Sequence, residues 1–407
     1  MNISVTRACS SAVLVLAACG SGGNRTGVQV ERRVVADTTL VRTLAGSAWG
    51  DSAALVEDLA IGVLDGPEEY QLGSIYEIAV DATGGIYTFD AQVPVLRYYD
   101  SSGTHRRTIG RKGAGPSEYQ NASLGMVIRH SDGRLIMLDP RNTRLNVYTA
   151  DGSPSESWRV PSGLYTPHSP TIDEADHVYL KFMVGQPEPN EPWPSAVLHL
   201  DDRGRMIDTL RPPAVPDEPA KAAGAFGASK VWDFSPSGGF VVALTDRYRV
   251  EHHRPDGSVL RIERNVPPVS MVPGEKAEWE AYYDWVWKAQ GQSITSERKP
   301  IPDVKPFLRD VVTGDDGRIW VRRYVVAEKG EDIRRLVRPG QEPPPPRTWH
   351  EPTVYDVFET DGTFLGSLRV PAKTNIMVTR GDLAWGTRTG ASEETYVVRL
   401  RIVRKRG

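Results

Sequence analysis

The 407-residue sequence predicts an all-β fold, a closed ring of six blades, each a four-stranded antiparallel meander. Three observations carry the prediction. First, the unit at 84–103 repeats at 133–152 with an offset of 49, matching Gly84 to Gly133, Asp90 to Asp139, Tyr99 to Tyr148 and Gly103 to Gly152; a period of that length is one repeated supersecondary unit. Second, two tight turns recur along the chain. One kind stands at 84–85, 132–133, 176–177, 238–239, 316–317 and 381–382, and the other at 102–103, 151–152, 203–204, 256–257 and 361–362. With apolar residues alternating between them, each unit reads as four short strands. Third, the segment 55–62 (LVEDLAIG) reads as a fourth strand with no partners upstream, while the last unit, 375–404, has three strands and no fourth. Pairing the two ends closes the ring and removes the open edge. A content of 38 Gly and 31 Pro agrees with many short strands and turns.

From the N-terminus, residues 1–18 hold one basic residue, Arg7, and an apolar run too short to span a bilayer, as in an export signal. Leu16-Ala17-Ala18-Cys19 resembles the lipobox of bacterial lipoproteins, which implies cleavage before Cys19 and a diacylglyceryl (palmitate-type) anchor on its thiol. Residues 19–52 are then expected to be the lipidated Cys19, a flexible tether and an edge strand, and residues 53–407 the ring. The other cysteine is Cys9, inside the signal, so the mature chain has no disulfide and no thiolate metal site. Loss of residues 1–18 removes only Arg7, leaving 48 basic against 52 acidic residues and a net charge of −4. A mildly acidic exported protein is not expected to bind nucleic acid.

The phrase GPEEYQ at 66–71 returns as GPSEYQ at 115–120, after the run IGRKGAG. Gly110 and Gly115 have P-loop spacing, but Pro116 follows where a lysine is needed and lacks an N–H, so the phrase reads as punctuation between units rather than a phosphate cradle. All short turns fall on one face of the ring. The long connections, 184–195, 265–305 and 327–352, fall on the other, where binding is expected. Within the second, residues 273–292 read as a helical insertion, with Pro273 and Gly274 before it and Gly291 near its end. Trp279, Tyr282, Tyr283 and Val286 share one stripe and Trp287 adjoins Tyr283, which predicts a cap packed on the ring or an aromatic wall over its mouth. The run EPPPPR at 342–347 reads as a stiff loop.

Gly133, Leu135, Met137, Asp139, Asn142, Arg144, Leu145, Val147 and Tyr148 fall in a pattern that resembles the NHL repeat of six-bladed β-propellers, and IGRKGAGPSEY resembles an inter-blade phrase of exported bacterial propellers of that group. The resemblance implies the fold. It leaves function open, because such propellers include binding platforms, a lyase that matures amidated peptides, and relatives resembling calcium-dependent lactonases. Neither the three-His zinc set nor the Glu, Asn and Asp calcium set of those enzymes maps onto positions here. The eight histidines show no metal-ligand spacing, no G-x-S-x-G occurs, and Asp90 and Asp139 are expected to hold loop N–H groups.

Counting eight residues back from the first turns reaches Tyr76, Gly125, His168, Lys230, Arg309 and Lys373, where each innermost strand starts on the elaborated face. The expected site is therefore a mouth with His168, Lys230, Arg309 and Lys373 as cationic contacts and Trp279, Tyr283 and Trp287 as a lid. The expected function is a lipid-anchored binding or scaffold propeller of the bacterial envelope, at the outer membrane. It would be a monomer needing no cofactor, engaging an envelope protein, peptide or glycan, anionic by preference. The alternative is a hydrolase or lyase with a divalent metal in the central channel.

Overall fold

The computed structural model describes residues 27–50, 53–116, 118–120, 125–161, 169–185, 194–219, 224–290, 300–333 and 342–404. Six blades follow one another around an axis. The first is Ile75–Val80, Ile86–Asp90, Val95–Tyr99 and His105–Ile109, and the second Met126–Ile128, Leu135–Asp139, Arg144–Tyr148 and Pro154–Arg159. The third is Thr171–Ile172, Val178–Met183, Ser195–Leu200 and Met206–Leu210; the fourth Lys230–Phe234, Phe240–Leu244, Arg249–His253 and Val259–Arg264. Blade five is Leu308–Thr313, Ile319–Arg323, Val354–Phe358 and Phe364–Arg369, and blade six begins with Thr374–Arg380, Leu383–Thr389 and Thr395–Arg404.

The second strands of blades two and four, Leu135–Asp139 and Phe240–Leu244, are buried at every position and read as near-continuous apolar runs rather than the expected alternation, because neighbouring blades cover both faces. In Leu135–Asp139, Leu135 and Met137 pack toward blade one while Ile136 and Leu138 pack toward blade three. The core is thus six wedges between successive blades, and the repeated phrase fills two of them. Tyr119 is fully buried between blades one and two, where its hydroxyl accepts from Leu96 N at 3.1 Å and donates to Ile109 O at 2.9 Å. Tyr70, its counterpart, accepts from His105 N at 2.9 Å. In the Gly-rich loop Glu118 already takes Gly115 N at 2.8 Å and Arg111 Nε at 2.7 Å, so these donors are spent on a carboxylate of the chain itself.

Closure runs as expected, and further. Strand β1 (Gln29–Val35) and β2 (Thr38–Ala45) form a hairpin, and β3 (Ala53–Ile61) pairs antiparallel with Thr395–Arg404 to complete blade six. The hairpin extends blade four to six strands, with β2 parallel to Val259–Arg264. Between them Ala48 N and Trp49 N bond Phe364 O and Leu365 O of blade five at 3.1 and 2.7 Å, and Trp49 is buried between blades five and six. From residue 27 onward, the segment expected as a tether with an edge strand is a strap across the outer edges of three consecutive blades. Its local signal is weak because its burial is supplied by partners more than 200 residues away; Val41, for one, is fully buried against blade four.

The one α-helix among the described residues, α1 (Pro273–Gln290), lies in the connection from blade four to blade five. Its first turn is fixed by a buried ion cluster. Lys305 Nζ reaches Glu275 Oε1 at 2.7 Å, Glu351 Oε1 at 2.9 Å and Val325 O at 3.0 Å, and the Lys305 side chain has no exposed surface.

Candidate functional site at the elaborated face

Three innermost strands carry a bulge near the elaborated face. The pairing skips Tyr76 in blade one, Arg309 in blade five and Met377 in blade six. A bulged residue is re-aimed out of the ladder, and Tyr76 and Arg309 are exposed. Arg309 lies 5.8 Å from the centre of the Tyr324 ring. Around this pair stand side chains from three separate connections. Phe226, from the link before blade four, meets Trp279 of α1 edge-on at 5.2 Å and Tyr324 at 5.5 Å. Trp279 stacks with Tyr283 at 5.9 Å, and Arg347 lies 3.8 Å over Trp279 and 5.3 Å from Tyr282. Glu278 holds the loop that carries Arg347, accepting from Thr348 N at 2.7 Å and Trp349 N at 3.1 Å.

Arg309 and Arg347 are the electrostatic centre of this group. Neither makes an ion pair with a carboxylate among the described residues, where most other arginines do. Burial lowers the Arg347 pKa, Tyr282, Glu278 and Tyr283 offset part of that, and the positive field of Arg309 adds to the lowering. Glu278 supplies a partial counter-charge to Arg347, but with no close ion pair to either arginine among the described residues, two like charges on aromatic faces favour an anion from outside.

Deeper along the axis the polarity changes. The first strand of blade three is only two residues, so Lys181 of its second strand has no first-strand neighbour in front of it. Its ammonium donates to Trp232 O at 2.9 Å and sits 4.0 Å over the Trp232 ring. Burial lowers its pKa, partly offset by Asp233 and Asp310. Asp310, next to the bulged Arg309, is exposed, and desolvation by the surrounding protein raises its pKa. On the far wall Glu77 is buried and accepts from Ser169 Oγ at 2.7 Å, and burial pushes its pKa up to about 7. Ser169 and Glu77 meet across blade two because Gly125 has no side chain; a Cβ there would collide with the Pro170 ring.

Of the residues expected at the mouth, Arg309, Trp279 and Tyr283 come together. Lys230 sits at the start of its strand, largely buried and bound to Glu218 at 3.0 Å. Lys373 is half exposed and faces Glu331 at 3.8 Å and Glu393 at 4.0 Å, in a left-handed backbone conformation (φ 56°). Trp287 is 39% exposed and joins none of the helix's ring contacts. Cys19 and His168 lie outside the described residues, as do parts of all three long connections. Asp90 holds Gly73 N and Ser74 N at 2.7 and 3.0 Å, the loop role expected of it. Sequence reading missed Phe226, Tyr324 and Arg347. The Arg347 signal was present: a run of four prolines fixes the loop that ends on it. Among the described residues, no group of three His, Cys, Asp or Glu side chains converges on a metal position.

No protein-family model matches the chain, and no curated protein matches it. Solved structures do. A member of the duf4221 family from Bacteroides vulgatus is 12% identical, with 87% of this chain and 99% of that one covered and a TM-score of 0.50. An exported protein of Bacteroides fragilis is 9% identical over 86% and 95% of the two chains, with a TM-score of 0.48. A gluconolactonase from Xanthomonas campestris is 12% identical over 86% and 99%, with a TM-score of 0.39. At such identities the shared property is architecture: the chain is a six-bladed β-propeller.

Proposed function

We propose that this protein is a lipid-anchored envelope propeller that binds a carboxylate- or phosphate-bearing molecule on its elaborated face, between α1 and the mouth of the channel. The observation that supports the reading is the pair Arg309 and Arg347, without carboxylate partners among the described residues and backed by Trp279, Tyr283, Tyr324 and Phe226. Such a wall suits a ligand with a flat apolar surface beside its charge, such as an acidic sugar ring or the side chains of an acidic peptide. The anchor rests on Leu16 to Cys19. For the metal-dependent alternative, the described residues offer no ligand set in the channel.

The test is calorimetry with oligogalacturonate and an acidic peptide, each beside its neutral counterpart, on the parent and on Arg309→Ala/Arg347→Ala. The reading expects one anionic probe to bind, its affinity to fall about 10-fold or more in the double variant, and its salt dependence to flatten. Equal affinity and equal salt slope for both proteins would overturn it.

A further inference from the structure

Blade three carries a second polar constellation, on its face toward blade four and away from the mouth. Tyr179, His199 and Asp208 stand directly opposite one another on its second, third and fourth strands. His177, two residues before Tyr179, shares their face. His199 Nδ1 lies 3.0 Å from Asp208 Oδ1, and His199 Nε2 lies 3.1 Å from His177 Nδ1. The Tyr179 ring stacks on His199 at 4.5 Å, and its hydroxyl donates to Asp173 Oδ2 at 2.9 Å. The same Asp173 oxygen is 3.7 Å from His177 Nδ1.

These contacts fix the chemistry of His199. A carboxylate can only accept, so Nδ1 carries the proton, and the neutral ring presents the Nε2 lone pair to His177. A ring N–H given to a carboxylate while the other nitrogen points at a second imidazole is the arrangement that orients a metal-binding histidine. Bonds of about 2.0–2.1 Å at a tetrahedral centre put two ligand nitrogens about 3.3 Å apart. The observed 3.1 Å needs only a few tenths of an ångström more. Access is from the His177 side, whose side chain is 31% exposed, while that of His199 is 14% exposed.

We propose that His177 Nδ1 and His199 Nε2 bind one divalent transition ion of the imidazole-preferring kind, zinc above all, with Asp208 as the positioning residue behind His199. Among the described residues no third protein ligand is preformed; water completes the sphere, with Asp173 the nearest carboxylate. The ion would tie the second strand of blade three to the third, and through Asp208 to the fourth. That matters because the wedge these residues occupy has the smallest buried apolar cluster of the six among the described residues, Tyr179, Val197, Phe234, Phe240 and Val242. Magnesium and calcium, which require oxygen ligands, would not compete.

The experiment is zinc calorimetry and elemental analysis on the tag-free full chain, beside His177→Ala, His199→Ala and Asp208→Asn, with melting curves in zinc and in chelator. One zinc per chain is expected, lost in either histidine variant, weakened about 10- to 100-fold in Asp208→Asn, and accompanied by a rise in melting temperature only in the parent and Asp208→Asn. Should His199→Ala fail to fold, the half-exposed His177→Ala decides alone. Zinc binding that is absent from the parent, or unchanged in His177→Ala, overturns the proposal and leaves the two imidazoles sharing a proton.

Discussion

Glu77 offers a direct measure of how dry the channel wall is. Its carboxyl is buried with one side-chain donor, Ser169 Oγ, and no cation, and its pKa rises from the ordinary 4.5 to about 7, chiefly through desolvation. The folded protein therefore holds a proton there that the unfolded chain has released. Stability from this group is fully present below about pH 4.5 and is lost as pH rises through 7. At about 1.4 kcal/mol for each tenfold change in proton affinity, the loss comes to about 3 kcal/mol. Glu77→Gln removes the ionisation and keeps an acceptor for Ser169, so its pH-independent cost, an unpaired amide N–H₂, is a constant offset. The stability difference between the Glu77→Gln variant and the parent should thus move by about 3 kcal/mol in the variant's favour between about pH 4 and pH 8.5. Urea unfolding followed by tryptophan fluorescence at several pH values measures it. A difference that stays flat within about 1 kcal/mol across the range would show that water reaches Glu77, and the reading of the channel wall would be wrong.

Lys305→Met should cost about 3–5 kcal/mol, because it strands Glu275 and Glu351 in the interior; Glu275→Gln and Glu351→Gln added to it should recover much of that loss. Burial already raises the Glu351 pKa and Lys305 holds it down, so the Lys305→Met deficit should shrink as pH falls toward the carboxyl range; a deficit independent of pH would contradict the cluster, and hydrogen exchange should show α1 loosened first. Cys19→Ser should abolish fatty-acid labelling and membrane cofractionation; unchanged labelling would refute the anchor.

The ring was legible because its grammar is local. Turns such as Asp132-Gly133 and Asp151-Gly152 require left-handed glycine, and Gly133 and Gly152 adopt φ of 71° and 84°. Closure could be read by counting, since one strand was surplus at the start and one missing at the end. The hairpin of the strap was not legible beyond an edge strand, because β1 and β2 are largely exposed or half-buried, β1 pairs only with β2, and β2 gains its other partner only from blade four. The mouth was half legible. Counting back along each strand found Arg309, but which cations meet a carboxylate depends on long connections: Glu218 claims Lys230, while Arg347 arrives beside Arg309 from a connection 38 residues on in the chain. The histidine pair was invisible for a sharper reason. His177 and His199 are 22 residues apart, and only the register of blade three places them on one face.

The strap also sets a clock. Residues 27–61 are made before the segments they need, since β2 pairs with Val259–Arg264 and β3 with Thr395–Arg404. β2 can join blade four once Val259–Arg264 is made, but until the last blade emerges β3 has no sheet to join and blade six has no outer strand. Contacts of such sequence separation form late, because a loop of several hundred residues must close before any of them is made. A chain built this way stays open until Thr395–Arg404 is available to β3, so that one strand, rather than the folding of any single blade, times the completion of the ring.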